Sequence, residues 1–177
     1  MASPTRVRPA RPWTTGRALV LLIVVAMVSM WLYVLYLAFG PGRQPPPDRL
    51  DDPRFATAAQ SRCEVALDAV RELPRATESL SASERGDVVL EANAIFATML
   101  DELAELTPAG EDGELVTAWL ADWRIYLTDR AEYADAVRQD PEARLLVSAK
   151  DNEQITEFID AFAADNKMIS CGTPLDV

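Results

Sequence analysis

The sequence predicts an all-α protein: a single N-terminal transmembrane helix followed by a small extracytoplasmic bundle of about four helices with one disulfide. Three observations predict it. The 22 residues Ala18 to Phe39 carry no charge. Four later segments repeat apolar residues at every third or fourth position, the period of a helix with one buried face. The two cysteines, Cys63 and Cys171, both follow the apolar stretch. The implied division is a basic cytoplasmic tail (1–17), a transmembrane helix (18–39), a proline-rich linker (40–51) and a helical domain (52–177).

At about 1.5 Å rise per residue the apolar stretch would span roughly 33 Å, enough for a hydrocarbon core of about 30 Å. Arg6, Arg8, Arg11 and Arg17 precede it, and no acidic residue does. The positive-inside rule then keeps the N-terminus in the cytoplasm and carries the rest across. Tyr33, Tyr36 and Phe39 suit an aromatic belt at the far end, and Trp13 suits one at the near end. A cleaved signal peptide is the competing reading, but its apolar stretch is usually about 7–15 residues. The best cleavage site, Ala38-Phe39-Gly40, would also leave Pro41 after the cut, where its fixed ring fits an extended protease groove badly. An uncleaved anchor is therefore expected.

The linker holds Pro41, Pro45, Pro46 and Pro47, and the triple proline favours an extended polyproline II path. Fully extended, its 12 residues would reach at most about 37 Å. The first helix of the domain is expected to open at Pro53 behind Asp52, because proline suits the first helical position. Its stripe is Phe55, Ala59, Cys63, Ala66, Val70 and Leu73, and Pro74 stops it. The second is expected from about Ser83 to Leu106. Ser81 and Glu84 have capping-box spacing, with Ser83 as an alternative cap. Its stripe is Val88, Ala92, Ile95, Met99, Leu103 and Leu106.

The third helix, from about Gly113 to Gln139, is the longest. Val116, Trp119, Trp123, Tyr126, Arg130, Tyr133 and Val137 form its stripe, flanked by Leu120, Leu127 and Ala134. This wide apolar face predicts a central position. Asp140-Pro141 breaks the helix and can open a short helical turn. Leu145 to Val147 lacks a visible partner strand, so helix or ordered loop is expected there. The last helix is expected from about Asn152 to Asp165, with Ile155, Phe158, Ile159, Phe162 and Ala163 on its face and Asn166 as its stop.

Four of the 17 basic residues precede the anchor and all 28 acidic ones follow it. The part beyond the anchor therefore holds 13 basic against 28 acidic residues, a net of −15. Nucleic acid and anionic lipid are poor partners for such a surface. Cysteines paired in number and expected in an oxidising compartment favour a Cys63–Cys171 disulfide. With no histidine in the chain, Ser-His or Cys-His nucleophile pairs cannot be built, and with only two cysteines besides, zinc is not expected. Glu111-Asp112-Gly113-Glu114 suits a helix start rather than a calcium loop. No catalytic residue, metal or cofactor is expected.

Two surfaces remain as candidates. Trp119, Trp123, Tyr126, Arg130 and Tyr133 combine residue types enriched in binding hot spots. The same period fits a core position, with Arg130 at the edge paired to an acidic residue. Within the anchor, Ser29, Tyr33 and Tyr36 share one helix face that can pack on another transmembrane helix. Arg at 15 positions against Lys at 2, with abundant Ala, points to a high-GC genome and so to a bacterial envelope. The function expected is a non-catalytic accessory or scaffold subunit of a cell-envelope membrane complex, in contact with the bilayer and another membrane or envelope protein. The alternative is a membrane-anchored ligand-binding or sensing domain that uses the aromatic face.

Overall fold

A computed structural model describes residues 15–40, 46–75 and 80–174. Its helices are α1 (Thr15–Phe39), α2 (Pro53–Arg71), α3 (Ala82–Glu105), α4 (Glu111–Gln139) and α5 (Ile155–Asp165). A ladder of β1 (Ala149–Lys150) and β2 (Glu153–Gln154) precedes α5, and a 3-10 turn, Ile169–Cys171, follows it. The mostly helical fold and the disulfide agree with the sequence. The chain forms two compact units that divide between Pro45 and Pro46. The first contains α1, whose 25 residues include none that is buried. This helix is long and apolar enough to cross a membrane. It starts at Thr15, three residues ahead of the uncharged stretch. The rest of the basic tail, Trp13 included, lies outside the described residues, as do Pro41 and Pro45 of the linker.

The second unit shows how local chemistry sets helix ends. Asp52 caps α2 by accepting a hydrogen bond from the Arg54 N–H at 2.9 Å, with Pro53 next in the first turn. Bonds from the Arg54 side chain and N–H hold the Asp52 carboxyl below its ordinary range. Ser81 and Glu84 form the full capping box of α3: Glu84 N–H donates to Ser81 Oγ at 3.3 Å, and Ser81 N–H to Glu84 Oε2 at 2.8 Å. The α3 face is turned slightly from the expected one. Val89, Asn93, Phe96 and Leu100 are buried, whereas Val88 and Ile95 are half-buried and Leu106 is exposed. A stripe read at one position per turn cannot locate the centre of a face that two neighbours cover, and α3 packs on both α2 and α4. The α3–α4 contact is close: a Cβ on Gly86 would lie 2.7 Å from the Ala134 carbonyl oxygen.

The segment after α4 differs more. Asp140-Pro141 opens a turn and no helix; the Asp140 carboxylate accepts the Glu142 N–H at 3.0 Å. Leu145 to Val147 is irregular and leads into the ladder, which pairs Ala149 with Gln154 and Lys150 with Glu153. Asp151 (φ 52°) and Asn152 (φ 68°) make the two-residue connection. Two consecutive positive φ values are what a tight hairpin needs, so Asn152 belongs to the turn and α5 starts three residues later. Two buried carboxylates of α4 fasten this segment. Asp129 accepts Ser148 N–H and Oγ–H, both at 2.7 Å, and Asp122 accepts Lys150 Nζ at 2.8 and 3.0 Å.

The C-terminal end of α5 closes with a Schellman motif. Lys167 N–H donates to the Ala164 carbonyl and Met168 N–H to that of Ala163 at 2.7 Å, with Lys167 at φ 60° and Met168 fully buried. Cys171 is bonded to Cys63 on α2 across 108 residues of chain.

The bundle begins at Pro46 rather than Asp52, because part of the linker belongs to it. Leu50 is buried in the core, and its N–H donates to Asn166 Oδ1 at 2.8 Å. Asn166 Nδ2 donates to the carbonyls of Asp48 and Phe162, each at 3.0 Å. The Asp112 carboxylate accepts the N–H groups of Asp51 and Asp52, both at 3.0 Å. Asp48, Leu50 and Asp51 of the expected 12-residue linker are therefore held against the bundle.

Asn166→Ala would strip the partner from a buried N–H, and a loss of about 1–3 kcal/mol in urea unfolding is expected, with faster hydrogen exchange at Leu50. Unchanged exchange there would contradict the clasp. Lys167→Gly removes a side chain from the left-handed region, and a gain of up to about 1 kcal/mol in the same measurement is expected.

Candidate functional site

The aromatic stripe of α4 lies inside the bundle. Trp119, Trp123, Tyr126 and Arg130 are each no more than 2% exposed, and Tyr133 is half-buried. Trp119 stacks on Phe162 of α5 with centroids 5.3 Å apart and meets the edge of Phe55 of α2 at 6.5 Å. Trp123 lies 5.7 Å from Phe96 of α3 and 5.8 Å from Tyr126. Each indole N–H has an acceptor: Trp119 donates to the Ile159 carbonyl at 3.2 Å, and Trp123 to that of Cys171 at 3.3 Å. Stacking and edge contacts fill the faces of the rings while backbone carbonyls satisfy their polar edges. The rings of Trp119 and Trp123 pack on α2, α3 and α5, the core placement that the same period allowed.

Arg130 departs further from expectation. It is 1% exposed, not at the edge of the core, and among the described residues no carboxylate pairs with it. Its Nε–H donates to Asn93 Oδ1 at 2.6 Å, and Asn93 Nδ2 donates on to the Leu127 carbonyl at 2.9 Å. The guanidinium carbon is 5.7 Å from the centroids of both Phe96 and Tyr126. Two ring faces and one amide oxygen thus stand where a carboxylate was expected. Among the described residues Nη1 is buried without a hydrogen-bond partner, so its desolvation is not offset by a hydrogen bond there. Asn93 is the partner of Arg130 that sequence reading missed. It lies one position from Ala92 of the expected stripe, and a polar residue beside an apolar run was the only signal.

The two disulfide cysteines are fully buried, so the staple lies within the core. On α1, Ser29, Tyr33 and Tyr36 are exposed on one face, at spacings of four and three. The acidic run at the start of α4 has a structural use: Asp112 holds the linker backbone and Gly113 packs under the Pro108 carbonyl. Among the described residues no group of three His, Cys, Asp or Glu side chains is placed to hold a metal ion. A shallow groove of about 310 Å³ runs between α2 and the α3–α4 turn, lined by Asp52, Arg54, Phe55, Ala58, Leu106 and Pro108. Its walls mix one ion pair, Asp52 with Arg54, and the rims of apolar side chains.

Trp123→Ala is expected to cost about 3–5 kcal/mol in chemical unfolding, the usual penalty for emptying a large buried site. The double change Arg130→Met, Asn93→Leu removes a buried charge together with its partner. Stability is expected to hold or rise by about 1–4 kcal/mol, and a marked loss would show that the cation is better compensated than its described neighbours allow.

No family model, curated protein or solved structure matches the chain.

Proposed function

We propose that this chain is a single-pass membrane protein with a cytoplasmic N-terminus, and that its acidic bundle serves as a non-catalytic accessory or scaffold subunit of a bacterial cell-envelope complex. The observation that carries the reading is α1: 25 residues, none buried, with no charge from Ala18 to Phe39. A helix of that kind needs apolar surroundings, and a bilayer supplies them. Direction has two independent supports. Arg6, Arg8, Arg11 and Arg17 with no acidic residue precede the span, against Arg43 and Arg49 close behind it, a bias that favours retention of the N-terminal side in the cytoplasm. The Cys63–Cys171 bond belongs to an oxidising compartment, which is the far side.

The accessory role rests on how the polar side chains are spent. Asp112, Asp122, Asp129, Asp160 and Asn166 fasten linker, loop and tail. The aromatic stripe fills the core, so the reading as a ligand-binding or sensing domain loses the face it needed. The partner is another membrane or envelope protein, and Ser29, Tyr33 and Tyr36 on α1 are the contact face we assign to it. Hydroxyl groups on one side of an otherwise apolar span gain by facing a second helix rather than lipid.

The test is purification of the intact chain from its native membrane in a mild detergent. A partner at fixed stoichiometry is expected, and its yield should fall several-fold when Ser29 and Tyr33 are changed to Leu. A monodisperse single chain in several detergents would overturn the accessory role, and recovery in the soluble fraction would overturn the anchor.

A further inference from the structure

We draw no further inference here: the strongest candidate, the buried Arg130 cation between Phe96, Tyr126 and Asn93, belongs to the core already described, and the groove between α2 and the α3–α4 turn does not reach it to admit an anion.

Discussion

The bundle depends on the need to keep two indole rings dry on their faces and hydrogen-bonded at one edge. Trp119 and Trp123 lie one turn apart on α4, and different neighbours cover them. Phe55 and Phe162 close over the first, from α2 and α5; Phe96 closes over the second, from α3. Their N–H groups then reach carbonyls at Ile159 and Cys171, which fixes α5 and the 3-10 turn in register with α4. The central place of α4 follows from this demand more than from its length. The disulfide sits at the same locus, since the carbonyl that receives the Trp123 N–H belongs to a bonded cysteine.

A few of the carboxylates of the domain have an architectural use. Irregular segments bring unpaired backbone N–H groups, and each needs an acceptor when water is excluded. Carboxylates supply them: Asp112 for the linker, Asp129 for Ser148, Asp160 for Thr173. An ionised carboxylate accepts without bringing a donor that would itself need a partner, so Asp is well suited to tying down chain that is neither helix nor strand. Arg130 is the exception in sign, a cation accommodated by rings and an amide.

The helices were legible because their signals are local. Pro53 behind Asp52, the Ser81–Glu84 box and Asn166 all act within one turn of chain, and each marks the end it was expected to mark. The cysteine pairing was legible because only one intrachain pairing exists. What was misread involves distant partners. The centre of the α3 face depends on where α2 and α4 lie against it. The docked linker depends on Asn166, over a hundred residues away. The hairpin at Asp151-Asn152 was hidden for another reason. Its strands are two residues each and its turn lacks glycine, so no alternating pattern could appear. The aromatic stripe was read correctly as helical, but hydrophobic period alone does not distinguish a ring that packs from a ring that waits for a ligand.

The Cys63–Cys171 bond also sets the covalent topology. It closes a ring that contains every connection from the end of α2 to the turn before Cys171, including the α3–α4 turn and the Asp151-Asn152 hairpin. A protease that cuts any one of them opens the ring but releases nothing, because both new ends remain attached through the sulfur bridge. Only a cut on the N-terminal side of Cys63 separates the bundle from α1. A single surface nick within the ring would therefore leave both halves of the domain joined to each other and to α1.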